Sequence, residues 1–183
     1  MKVGEPVGSV AVMIRLVEPS PELRDSWWES RVEFGDESPH GYALFGFTDA
    51  EVATDAGFAR WLAQQRQTVT EPPEGMVPAS LYWIVDDADP DHVLGSLSVR
   101  HALNDYLFEQ GGHIGYGVRA SARGRGVAGA ALAASLGQAR VLGLERVLVT
   151  CEDDNVASAR TIERCGGVLE DVRQGMRRYW IDL

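Results

Sequence analysis

Gly112–Ala128 reads GHIGYGVRASARGRGVA, and its interpretation decides what the rest of the chain is for. The apolar run Ile114 to Val118 predicts a strand. A short polar loop carrying Arg119, Arg123 and Arg125 follows, and glycines then open a long alanine- and leucine-rich helix. At a helix start the first backbone N–H groups lack partners and carry partial positive charge, so they can bind phosphate oxygens wherever side chains leave room. Gly124 and Gly126 remove the Cβ atoms that would stand in the way. The three arginines add donors and charge around the same cradle. Gly124 to Gly129 also spells GxGxxG, the dinucleotide fingerprint, with Glu152 downstream at the end of the next strand-like run. In that fold the first glycine sits in the strand-to-helix turn, whereas here Arg119 to Arg123 intervene. Too little chain follows Gly129 for the repeated βαβ units of a doubly wound sheet.

The loop also reads R-x-x-G-x-A, with Arg123, Gly126 and Ala128 in the marked places. After the helix, Arg146 to Cys151 (RVLVTC) is a strand by its β-branched content, and Asn155-Val156-Ala157-Ser158 then opens a further helix before Gly166-Gly167. From about Leu94 to the C terminus this pattern resembles the GNAT superfamily of N-acetyltransferases, in an uncharacterised predicted-acetyltransferase branch. The resemblance implies an α/β (α+β) fold with a mixed, mostly antiparallel sheet of about six or seven strands, about four flanking helices, and a V-shaped splay between central strands. It implies acetyl-CoA as cosubstrate and no metal. The cosubstrate would be held by Val118 through its backbone, by Arg119, Arg123, Gly124, Arg125, Gly126, Val127 and Ala128, and by Asn155 and Ser158.

For catalysis the resemblance points to a base near the start of the central strand, where His113 stands, since an imidazole can take up the ammonium proton near neutral pH. Glu109, Glu152 and His101 are weaker candidates. The usual acid is a tyrosine seven residues after the helix asparagine. Counting from Asn155 reaches Ile162, which has no proton to give, so Tyr116, Tyr179 or water would stand in. The expected activity is direct acetyl transfer to a primary amine, small-molecule or peptide. Two other readings stay open: an acyl-CoA-binding sensor without catalysis, and a dinucleotide-binding enzyme.

Composition is compatible with this. The chain has 183 residues, 45% of them hydrophobic, which suits one folded domain with a sizeable core. A formal net charge of −10 disfavours nucleic-acid and anionic-membrane partners and is compatible with a cationic acceptor. No signal-peptide pattern and no spanning-length apolar run are present, so a cytoplasmic protein is expected, with Cys151 and Cys165 as reduced thiols. A homodimer is compatible with the resemblance.

In chain order, Val10 to Leu16 predicts a first strand, and a helix starting at Ser20 or Pro21 runs to about Phe34; of its Trp27 and Trp28 at most one can face the core squarely. Thr48 or Asp49 caps a helix to about Thr68. The proline-rich stretch Glu71 to Pro78 links this section to a hairpin, Ser80 to Val85 and His92 to Arg100, and His101 to Gly111 reads as a loop. Ala128, Ala131, Leu132, Ser135, Leu136, Ala139 and Leu142 form a small-residue stripe on the long helix, which Gly143 ends. Val168 to Arg173 and Met176 to Ile181 close the chain as a hairpin.

Overall fold

β2 (Ala79–Asp86) shows why this chain needs helices on both sides of its sheet. Leu81, Trp83 and Val85 bury into one apolar cluster, while Ile84 and the half-buried Tyr82 join another, as strand alternation requires when both faces are covered. The computed structural model describes residues 12–37 and 39–183. The remaining strands are β1 (Ile14–Val17), β3 (Asp89–Arg100), β4 (Ile114–Val118), β5 (Arg146–Glu152), β6 (Val168–Arg173) and β7 (Met176–Asp182). They form a seven-stranded sheet in the order β1-β2-β3-β4-β5-β7-β6. Every neighbouring pair is antiparallel except β4 with β5, which is parallel and aligned only at Ile114 and Val149. The expected mixed sheet with a central splay is therefore present.

One face is covered by α4 (Val127–Val141) and α5 (Val156–Arg164). Ala131, Leu132, Ser135, Leu136 and Ala139 of the expected stripe are buried there, but Leu142 is exposed and Val127 takes a place in the core. The other face carries α1 (Arg24–Val32), α2 (Asp49–Val52) and α3 (Asp55–Thr68) over an aromatic cluster. Trp27 stacks on Trp61 at 4.5 Å and on Trp83 at 5.5 Å between ring centroids, while Trp28 is only partly buried.

Four sequence expectations shift. Within the expected first strand, Val10 and Ala11 lie outside the described residues, and β1 runs one residue further, to Val17. The first helix begins as a 3-10 turn, Pro21–Leu23, before α1. The helix expected from Thr48 to Thr68 is two: Thr48 forms a capping box with Glu51, and Thr54 caps a second start by accepting the Gly57 N–H at 3.0 Å. Gly57 lets the two meet, because a Cβ there would lie 1.8 Å from the Glu51 carbonyl oxygen. The stretch from His101 to Gly111 ends in a π-helical turn, Leu107–Gly111, whose Phe108 ring carries the guanidinium of Arg178 at 4.7 Å. Among the described residues no helix is long and apolar enough to cross a membrane.

Candidate active site

Where β4 leaves β5, a row of backbone groups is left without a strand partner. The last contacts are the His113 N–H donating to the Leu148 carbonyl at 2.6 Å and the Ile114–Val149 alignment. On its other side β4 pairs with β3, where the Arg119 N–H donates to Leu94 at 2.9 Å. Ladder alternation then turns the N–H groups of Tyr116 and Val118 toward the gap. The Val118 carbonyl on that edge accepts Arg123 Nε at 3.0 Å. Gly112, at φ +63°, permits the strand to enter here, since a Cβ would lie 2.6 Å from the Leu148 carbonyl.

β4 leads through a 3-10 turn, Ala120–Ala122, into Gly124 and Gly126 at φ +75° and +81°. These are left-handed conformations that favour glycine, and an added Cβ at either would meet no protein atom, so the space beside the loop is open. Gly126 starts α4 with no side-chain cap and no acidic residue in the first turn. The N–H groups of Val127, Ala128 and Gly129 therefore stand at the positive end of a 15-residue helix without a side-chain acceptor, which suits a diphosphate. A Cβ on Gly129 would meet only Thr161 Cγ2, at 3.9 Å. A dinucleotide fingerprint needs its third glycine for close helix–strand packing, and no such approach exists here.

The three loop arginines separate. Arg125 is exposed. Arg123, half exposed, holds the Val118 carbonyl, lies 5.2 Å over the Phe34 ring and approaches Glu37 at 3.4 Å. Arg119 departs from the sequence expectation: it is buried, with Nε donating to Glu33 at 2.7 Å and Nη1 to the Val93 carbonyl at 3.2 Å, and His92 lies 3.0 Å from Nη1. Its donors are spent inside the protein, so it does not line the cradle. Glu33 also accepts the N–H and hydroxyl of Ser121, at 2.9 and 3.0 Å. The Arg119 hydrogen bond, aided by Ser121 against the cost of burial, lowers the Glu33 carboxyl to about 2. This clamp fixes the loop's first half to the end of α1.

Across the gap, Asn155 caps α5 by accepting the Ser158 N–H at 3.0 Å. The Tyr116 hydroxyl, arriving from β4, lies 2.9 Å from the Ser158 hydroxyl. Burial pushes the phenol up to about 12, so it keeps its proton at neutral pH. Cys151 is buried close by, and burial also raises its thiol. Ile162 is fully buried in the core below α5, and Tyr179 donates to Glu163 at 3.0 Å. Tyr116, Asn155 and Ser158 are thus gathered at one place beside the N terminus of α5.

His113 is placed differently from the proton acceptor expected of it. Its Nδ1 accepts the Leu148 N–H at 2.9 Å, so with its own N–H it forms two hydrogen bonds that lock β4 to β5. Burial, and then the positive charge of Arg100, lower its pKa to about 4. A buried imidazole with its lone pair already taken is a poor base. Glu109 pairs with Arg173 at 3.1 Å and His101 contacts the Ser80 hydroxyl at 2.9 Å.

The residue that the sequence reading missed is His40. The segment His40 to Tyr42 lies directly on β4: a Cβ on Gly117 would sit 2.8 Å from the His40 carbonyl, and one on Gly41 2.6 Å from the Gly115 carbonyl. Tyr42 anchors the segment, buried with its hydroxyl 2.9 Å from that of Ser30. His40 Nε2 then lies 3.5 Å from Glu152 Oε1, at the end of β5. The only sequence signal was a histidine beside a glycine in a turn-rich loop. Two shallow surface depressions lie along α3 and include no residue of β4, β5 or the glycine loop.

The family model for an acetyltransferase (GNAT) domain matches residues 17–168. A search of curated protein sequences gives no match. Among solved structures, the fold is similar to Mycobacterium smegmatis RimJ in complex with CoA-disulfide, at TM-score 0.68 and 19% identity over 94% of this chain and 83% of that one. The microcin C7 self-immunity acetyltransferase MccE, in complex with acetyl-CoA and AMP, gives 0.61 and 17% over 93% of each chain. An acetyl transferase from Salmonella typhimurium, which modifies the N-terminal serine of ribosomal protein L7/L12, gives 0.60 and 19% over 93% of this chain and 95% of that one. At these identities the likeness is one of fold.

Proposed function

For a chain that belongs to the GNAT acetyltransferase family, we propose direct transfer of an acetyl group from acetyl-CoA to a primary amine within a ternary complex. One juxtaposition carries this reading: the open glycine loop and uncapped start of α4 follow directly on β4, whose edge parts from β5 and whose Tyr116 meets Ser158. Acetyl-CoA, when bound, supplies an acyl group activated as a thioester.

In this reading the N–H groups of Val127, Ala128 and Gly129 take the diphosphate, Gly124 and Gly126 admit it, and Arg123 and Arg125 supply charge at its rim. The Val118 N–H binds a carbonyl of the arm or thioester, and stabilises charge that develops there. Asn155 orders the first turn of α5. Tyr116, kept protonated by burial and oriented by Ser158, donates to the departing sulfur in the place of the missing α5 tyrosine. Arg119 and His113 shape the site from behind without touching substrate. Glu109, bound to Arg173, braces the turn over the acceptor side.

The acceptor class to test first is the N-terminal amine of a peptide, the kind of group modified by the S. typhimurium neighbour, and such an acceptor implies action in the cytoplasm. Calorimetric titration with acetyl-CoA, CoA and NAD tests the cradle: micromolar binding of the CoA compounds, about −8 kcal/mol, is expected, with no comparable binding of NAD. Tyr116→Phe should then reduce turnover of Ser- and Ala-initiated peptides about 100-fold while leaving acetyl-CoA affinity intact. Binding without turnover of any amine would leave an acyl-CoA sensor; no binding would remove the reading altogether.

A further inference from the structure

Resting on that reading, we propose that His40 removes the proton from the acceptor amine and that Glu152 positions its ring. The four histidines of the chain are used very differently. His92 lies against Arg119, His101 against the Ser80 hydroxyl, and His113 accepts a backbone N–H. Among the described residues His40 alone of the four pairs with a carboxylate, Glu152 at 3.5 Å, a long contact of the kind that substrate can tighten. Three other carboxylates near the gap are matched to cations: Glu109 with Arg173, Asp153 with Arg177 and Glu37 with Arg123.

The pair spans the gap itself. His40 is carried on the segment seated over Gly115 and Gly117 of β4, and Glu152 ends β5, the strand that diverges from it. Val147, Val149 and Cys151 of β5 are buried in the α4/α5 core, so alternation puts Glu152 on the opposite face of the sheet. Tyr116 shares the α4/α5 face with Ile114 and Val118. Base and proton donor therefore stand on opposite faces of one opening, with the Tyr116 and Val118 N–H groups between them. Side-chain exposure of 64% for His40 and 51% for Glu152 leaves both accessible to an incoming amine.

With Nε2 donating to Glu152, the Nδ1 lone pair has no hydrogen-bond donor among the described residues. The amine nitrogen bonds to the acyl carbon as the carbon–sulfur bond breaks. The nitrogen's proton passes to His40 Nδ1, and the sulfur takes its proton from Tyr116 or solvent. His40 returns its proton to water, and Tyr116, where it was the donor, regains one from water, so the net products are an amide and a free thiol.

The test uses the whole chain, acetyl-CoA and Ser- or Ala-initiated hexapeptides. His40→Ala should lower kcat about 100-fold, with acetyl-CoA affinity by calorimetry unchanged within about twofold, and added imidazole should restore part of the rate. In the ligand-free protein, long-range proton–nitrogen spectra should give His40 the Nε2–H tautomer, and Glu152→Gln should weaken that preference and shift the ring nitrogens. Wild-type turnover in His40→Ala, or a His40 ring signal indifferent to Glu152→Gln, would overturn this proposal alone. Failure of the wild type to bind CoA would overturn the acetyltransferase reading and this proposal with it.

Discussion

Replacing Gly129 by glutamate should strengthen the fold and weaken coenzyme binding together. Gly129 is the third residue of α4, and a side chain fits, because its Cβ would meet nothing nearer than Thr161 Cγ2 at 3.9 Å. Removing a glycine from a helix gains about 0.5 kcal/mol, and a carboxylate in the first turn, facing the positive helix end, gains about another 0.5. The sum, about 1 kcal/mol, raises the melting temperature of a chain this size by about 3 °C. The same carboxylate occupies the proposed diphosphate site. Two unit charges about 5 Å apart repel by about 1 kcal/mol in water and about 3 at an effective dielectric constant of 20, so affinity for CoA should fall about 5- to 150-fold. Scanning calorimetry gives the first quantity and titration calorimetry the second, and the loss should shrink as salt is added. A more stable variant with unchanged CoA affinity would refute an anion site at the start of α4.

The imidazole of His113, lowered to about 4, makes stability depend on pH in a defined window. The unfolded chain takes up this proton more readily than the folded one, so His113 is without effect above its ordinary value of 6.5. Stability then falls as pH drops from 6.5 to 4, by about 3 kcal/mol for the full shift. Urea midpoints for the wild type and His113→Asn should diverge across that window; parallel curves would contradict the burial argument. Glu33→Gln strands the buried Arg119 guanidinium without its counter-charge and should cost about 3 kcal/mol at pH 7, read from urea unfolding. In the wild type, whose Glu33 is lowered to about 2, that contribution is present above pH 4.5 and is lost as pH falls toward 2. A loss below about 1 kcal/mol in Glu33→Gln would mean that Arg119 finds another partner.

Local patterns made the C-terminal half legible. A glycine-rich loop between an apolar strand and a small-residue helix, then Asn155 opening the next helix, each express a constraint that acts within a few residues. What escaped was set by distant partners. Arg119 looks like a loop arginine beside Arg123 and Arg125, and only Glu33, brought in by α1, turns it inward. His113 sits at the place expected of a base, but the Leu148 N–H that fills its lone pair belongs to a strand far along the chain. His40 acquires its neighbour only because Gly41, Gly115 and Gly117 let one loop lie flat on β4. The break between α2 and α3 was local and readable, since Thr54 is as good a cap as Thr48.

The single aligned residue pair between β4 and β5 divides the sheet into two blocks, β1 to β4 and β5 to β7-β6. Each block is zipped internally by long antiparallel ladders, while the seam between them is held by Ile114, the two His113 hydrogen bonds and the helices that straddle it. A ligand lying along the open edge would serve as the strand the seam lacks. Its binding would then couple the opening fluctuations of two otherwise separate cooperative units, and amide protons throughout the seam would exchange more slowly, including those the ligand never touches.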